Sequence, residues 1–443
     1  MLSNVLTQLD QIENASGRND KIKLLTKFLK DPVFKGVVTR TLNSDCVYHI
    51  KALKPFTQSV ETSHITDPEY LFQILDNLNA QPGANSYDKS ILWGTACSSQ
   101  GTYEVVKRIL NKDLKCGVGA KSINAALPGT VYYVPYCRCS TSSAEGKFWS
   151  KPGIKYAQLK EDGMFVNAFH EDTISFTTRN GKTVHQLDRL AAALEGVRST
   201  DTVYTGELII IRDGVVQDRQ TGNGILNSLI HGTANQEDAD SVAIRIWDAV
   251  PIEDFWLYEC TTPYTSRFQA VKELVYAIGD PDIADFVYTE EIKTKEDAED
   301  FYLRMRAQGE EGSVLKSGKA IWSDHTSPNM IKKKNESSCA LRITGWKYGK
   351  EGSKYKDVMG AIFCESECGK LKVTVNGKTD EMRGIDWDSM VGTICTVLFE
   401  YVTTSKSNPN PSLFLPRYSK PRPDREAADT LETIIERSKV VKS

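Results

Sequence analysis

The sequence predicts a multidomain chain: an all-α N-terminal domain, an α+β domain on antiparallel sheet, and a C-terminal domain of short strands that fits a small closed barrel. Three observations predict it. A chain of 443 residues exceeds one ordinary core. Its apolar residues recur every three or four positions to about residue 140, then every second position from about residue 150. After residue 338 the strand-like runs shorten. The predicted domains are 1–140, 141–337 and 338–443.

In the first segment, "SNVLTQLDQI", "DKIKLLTKFLK", "DPEYLFQILDNL" and "TYEVVKRILNKDL" carry helical spacing, with Ser3, Asp20 and Asp67 as caps. "NKDLKCGVGAKSINAALPG" reads as two helices joined by a turn at Gly117–Gly119. Free amides beside Lys115 and Lys121 suit a phosphate; a plain packing corner has the same pattern. In the middle segment, "KYAQLK", "MFVNAF", "ISFTTR", "VYTGELIII", "VAIRIWDAV" and "EGSVLKS" read as strands, with helices such as "SRFQAVKELVYAI" between them. In the last, "CALRITGWKYG", "VMGAIFCES", "KLKVTVNG" and "GTICTVLFEYV" are the short strands of the barrel.

Apolar residues make up 40% and charged residues 26%, as in a soluble globular protein. No apolar run is long enough for a membrane span, and the start lacks the pattern of a secretory signal. Ten scattered cysteines then suit reduced thiols and a cytoplasmic location. Cys137/Cys139 and Cys364/Cys368 have no histidine nearby and read as buried free thiols rather than zinc ligands. Charge is uneven. Residues 1–140 carry 16 Lys+Arg against 12 Asp+Glu, residues 141–331 carry 19 against 31, and residues 332–443 carry 20 against 15. Two basic flanks around an acidic middle suit a phosphate backbone gripped at both ends, although ordinary variation between domains gives similar numbers.

A lysine at a strand end in "KEDG", Lys160, is either part of a solvated turn or a nucleophile held still. The downstream residues favour the nucleophile. Arg179 lies in "TTRNGK", Glu207 in "YTGELII" and Trp247 in "RIWDAVP". "EGSVLKS" offers Glu311 and Lys316, and "IKKKNE" offers Lys332 and Lys334 on one strand face. "PRPDR" offers Arg422, Asp424 and Arg425. Taken singly, Trp247 suits a core, the carboxylates suit a surface and the lysine run suits a guarded strand edge. Their order from Lys160 to Arg425 is the specific signal.

This series resembles the covalent nucleotidyltransferases: DNA ligases, RNA ligases and mRNA capping enzymes. "RQTGNGILNSLIHGTANQEDADSVAIRIWDAVP" and "KDLKCGVG" narrow the resemblance to the ATP-dependent DNA ligases of T-even-type bacteriophages. The resemblance implies an ATP-grasp-like ligase core at 141–337, an OB-fold at 338–443 and a helical DNA-binding domain at 1–140. Lys160 becomes the residue that takes AMP from ATP, before AMP passes to the 5′-phosphate of a nick and the 3′-hydroxyl displaces it. Gln158, or the backbone of adjacent Leu159, would read the adenine amino edge. Trp247 would stack on the base, and Arg179 would meet the ribose or the nick phosphate. Glu207 and Glu311 would serve ribose and Mg²⁺, Lys332 and Lys334 the α-phosphate, and Arg422 the departing pyrophosphate. Lys115, Lys121, Lys350, Lys354 and Lys356 would grip duplex DNA. A monomer acting on nicked double-stranded DNA, with replication proteins as partners, is the implied setting. RNA ligation and non-catalytic nucleic-acid binding are the competing readings.

Two positions depart from the pattern. Related ligases commonly carry arginine five residues after the nucleophile, where this chain has Phe165, so nick binding is expected to differ. The last motif ends in Arg425 rather than lysine, and the two cations are not equivalent in geometry.

Overall fold

The computed structural model describes residues 2–50, 52–57, 67–81, 83–197, 201–334, 337–351, 355–377, 379–405 and 408–439. The chain divides into two compact units. One comprises Met1–Tyr136, Phe165–Ala191 and Gly224–Asp240; the other comprises Cys137–Met164, Ala192–Asn223 and Ser241–Ser443.

The first unit is mainly helical. Helices Leu2–Glu13, Arg18–Phe28, Pro32–Leu42, Pro68–Asn79, Ser86–Ala96 and Gln100–Leu110 bury a shared core that includes Val5, Leu25, Phe34, Leu75, Leu92 and Val105. Asp67 caps its helix by accepting from Glu69 N–H, as expected. Ser3 and Asp20 instead lie inside first turns, and Gly17 precedes the second helix. Residues 111–119 are a loop rather than the end of a helix, because Lys112 and Lys115 adopt positive φ. The next helix is short, Ala120–Ala126. The hairpin Met164–His170/Ile174–Thr178 pairs Val166 with Thr178 through His170 with Ile174.

In the second unit, one five-stranded sheet runs in the order Arg138–Ser140, Thr326–Lys334, Gly312–Ser317, Lys155–Leu159, Thr289–Ile292. All of its pairings are antiparallel except the first. Phe148, Ala157, Phe301, Leu315 and Ile331 form the core behind it. Strands Thr202–Arg212 and Val242–Pro251 pair antiparallel, and Ala284–Phe286 adds in parallel. The α+β reading of the middle segment therefore holds.

The C-terminal strands form an antiparallel five-stranded sheet in the order Lys372–Asn376, Met359–Glu365, Ser337–Tyr348, Ile394–Phe399, Arg417–Pro421. A separate hairpin pairs Val402–Ser405 with Asn408–Leu413. The expected closed barrel is corrected here: among the described residues, no pairing joins the two edge strands, so the sheet is open. Leu341, Ile362, Val397, Phe399 and Ile434 fill its core. Its cysteines are also not uniformly buried: Cys364 is, but Cys368 is exposed, and Cys137 and Cys139 are half-buried. Among the described residues, no helix is long and apolar enough to cross a membrane.

Candidate active site

Sheet register creates the site. Gln158 pairs with Val314, and Val314 with Lys332. One step along, Lys160 N–H donates to the Gly312 carbonyl (3.1 Å), and Gly312 pairs with Lys334. Side chains alternate along a strand, so Gln158, Lys160, Lys316, Lys332 and Lys334 share one face. The row Lys160–Gly312–Lys334 is closed by Glu311, which accepts from Lys160 Nζ and lies 2.7 Å from Lys334 Nζ. Lys334 also lies 3.6 Å from Glu400, just past strand Ile394–Phe399 of the C-terminal sheet.

Two glycines make this approach possible. Gly312 has φ of +153°, and a Cβ there would collide with the Lys333 carbonyl. Gly163, the last residue of "KEDG", lies where a Cβ would strike the Leu208 carbonyl. Its N–H donates to Glu207, which brings the second carboxylate beside Lys160.

The electrostatics are those of a carboxylate cluster interleaved with Lys160 and Lys334. Burial pushes Glu207 up to about 8, with Glu311 adding to the rise and Lys160 opposing it. Burial likewise pushes Glu161 up to about 7, against the pull of Arg245. Burial of Glu311 is outweighed by Lys160 and Lys334, which hold it below the ordinary carboxylate range. Glu207 and Glu311 are thus two carboxylates that oppose each other's ionisation. That donor set fits Mg²⁺, which typically takes one or two carboxylates and keeps its waters. Lys316 is 3% exposed, and burial lowers it to about 8. Its Nζ lies 3.3 Å from the Trp247 carbonyl and 3.4 Å from Tyr264 Oη.

The remaining predicted residues fall in several places. Trp247, half-buried on its strand, has Lys316 Nζ 5.8 Å from its ring centre. Gln158 is 1% exposed, and its amide donates to Tyr264 Oη and Thr289 Oγ1. Leu159 N–H is occupied by the Tyr288 carbonyl (2.8 Å), so that backbone donor is not open to a base. Arg422 is bonded to Asp424 at 2.7–3.1 Å, and Arg425 to Asp429 at 2.9 Å. Lys332, Lys350 and Lys356 are exposed, and Lys356 lies 4.0 Å from Asp357; Lys354 lies outside the described residues.

In the helical unit, Lys115 and Lys121 are exposed on either side of the glycine turn. Lys21 Nζ donates to the Cys116 carbonyl beside them (2.9 Å). Arg179 lies in this unit with its guanidinium 4.7 Å from the Tyr136 ring centre. Phe165 meets that same ring edge-on at 5.0 Å. Phe165 therefore braces the aromatic ring under Arg179.

Sequence reasoning missed Glu161, Tyr264, Thr289, Gly312 and Glu400. Glu161 was visible as a turn acid beside the lysine, but its burial was not. Tyr264 and Thr289 carry no sequence signal, since each reaches the site only through pairing distant in sequence.

A strand-end lysine among half-buried acids thus stands with two further lysines in register on the same sheet face. Residues 140–334 match the family model described as ATP dependent DNA ligase domain. The chain is 23% identical over 424 residues to the DNA ligase of Enterobacteria phage T6, covering 86% of this chain and 85% of that one. The same figures hold for the DNA ligase of Enterobacteria phage T4. Among solved structures it resembles Pmar-Lig_PreS3, with a TM-score of 0.77 at 21% identity over 95% of this chain and 99% of that one. The family match thus covers the segment that carries Lys160, Gly312 and Lys334.

Proposed function

We propose that Lys160 is the residue adenylylated by ATP, and that the enzyme then seals 5′-phosphate/3′-hydroxyl nicks in duplex DNA. The observation that carries this reading is the row Lys160–Gly312–Lys334 with Glu311 across it. It holds an amine on rigid sheet, with two further cations on the same face to meet the α-phosphate. Positioning and charge supply most of the rate in phosphoryl-type transfer.

Lys160 is ion-paired to Glu311 and must leave that pairing and lose a proton before its amine can attack the α-phosphate. Lys332 and Lys334 balance the charge that builds on that phosphate. Glu207 and Glu311 would hold Mg²⁺, which supplies positive charge against the triphosphate. Trp247 offers the base a stacking surface, worth about 1–3 kcal/mol. Arg422, once released from Asp424, orients the departing pyrophosphate. We read the chain as a helical DNA clamp at 1–140, an adenylylation core at 141–337 and an OB-fold-type domain at 338–443. Separate apolar cores within these three ranges support that division. Lys115, Lys121, Lys350, Lys354 and Lys356 are proposed to grip the backbone. A monomer acting in the cytoplasm, alongside replication proteins, completes the reading.

The test is sealing of a nicked duplex carrying a labelled 5′-phosphate, with ATP and Mg²⁺, across a salt series. The expected result is joined product on DNA, with affinity for the nick falling steeply as salt rises. Joining confined to RNA strands would establish the competing reading, and salt-independent binding would refute the backbone clamp.

A further inference from the structure

We infer that Tyr264 and Thr289 are positioning residues that lock the Gln158 amide in one orientation, and so make the enzyme prefer adenine over a 6-oxo purine. The inference rests on the reading of the Lys160 face as the ATP site.

The hydrogen bonds fix the orientation without reference to a ligand. Thr289 Oγ1 donates its proton to the Val287 carbonyl (2.6 Å). Tyr264 Oη donates its proton to the Trp247 carbonyl (2.9 Å). Each hydroxyl has one proton, so both can only accept from Gln158. The amide nitrogen lies 2.8 Å from Tyr264 Oη and 2.9 Å from Thr289 Oγ1, so both of its hydrogens are engaged. Lys316 Nζ, 3.4 Å from Tyr264 Oη, is a further donor to that oxygen and reinforces its acceptor role. Burial raises Tyr264 well above its ordinary range, so the hydroxyl keeps its proton.

Turning the Gln158 amide over would set its carbonyl oxygen against two oxygens with no proton to give. Gln158 is 1% exposed and Tyr264 is fully buried, so water cannot relieve that conflict. The polar atom left to Gln158 is therefore Oε1, an acceptor. An acceptor matches the exocyclic amine of adenine and repels the 6-oxygen of hypoxanthine or guanine. Sites built on such buried hydrogen bonds discriminate far more sharply than apolar pockets.

The test compares α-labelled ATP with α-labelled ITP, which differs from ATP at the 6-position and carries no 2-amino group. The readout is the single-turnover rate of lysyl-nucleotide formation by the full-length protein. The wild type should favour ATP by at least about 100-fold. Thr289→Val removes an acceptor and frees the amide to turn, and the ATP:ITP ratio should fall about 10-fold or more. Tyr264→Phe should lower the ratio in the same direction, and serves alone if Thr289→Val does not fold. Thr289→Ser keeps the hydroxyl and should restore the ratio. Equal losses with ATP and ITP in the Val and Phe variants would overturn the inference and leave both residues merely structural. A wild type that takes no label from ATP would instead overturn the underlying assignment of the site.

Discussion

The two five-stranded sheets of the second unit treat their cations in opposite ways. In the sheet around Lys155–Leu159, register aligns Lys160, Lys332 and Lys334 on one face, and acids from neighbouring loops and strands close around them. In the C-terminal sheet, Arg422 and Arg425 are each held by an acid four residues away or nearer, Asp424 and Asp429. The first sheet gathers its cations from strands distant in sequence. The second keeps its cations engaged locally, so any role at the nucleotide requires their release, consistent with a domain that moves during the reaction.

The sharpest way to break this contrast is Gly312→Ala. The positive φ and the collision with the Lys333 carbonyl should cost about 3 kcal/mol and abolish lysyl-AMP formation, seen in thermal unfolding and labelling together. Lys334→Ala should leave folding intact yet slow label formation by about 10²–10³-fold, measured in single turnover. Normal rates in that variant would mean the aligned row is incidental.

Asp424→Ala tests the other sheet. If Asp424 holds Arg422 back, its removal should speed adenylylation about two- to five-fold, while Arg422→Ala slows it. The smallest effect concerns pH. Glu207 is raised to about 8, so the folded chain keeps a proton that the unfolded chain releases. Stability of the metal-free protein should therefore fall as pH climbs from the ordinary carboxylate range through about 8. Glu207→Gln should flatten that decline in a series of melting curves, and an unchanged slope would show that Glu207 is ionised throughout.

The same contrast marks what was legible in sequence. Lys160, Glu311, Lys332 and Lys334 were readable as a group because residues on regular strands keep fixed spacing; register puts the three lysines on one face, with Glu311 paired to Lys160 and Lys334. The helical first segment was readable from its apolar period, down to the Asp67 cap. Barrel closure was not, since strand number and length do not determine whether two edges meet. Nor were Tyr264 and Thr289, which lie more than a hundred residues from Gln158 and join it only through tertiary pairing. Phe165 looked like a lost contact in sequence. In the fold it packs on Tyr136, the ring that also lies against Arg179.

The most direct measurement is incubation of the purified protein with α-labelled ATP and Mg²⁺, followed by denaturing electrophoresis, with Lys160→Ala alongside. Any AMP already carried would first be removed with pyrophosphate. A label on the wild type alone, discharged by nicked duplex DNA, is the predicted result. A label that persists in Lys160→Ala, or none on the wild type, would contradict the assignment of Lys160 as the nucleophile.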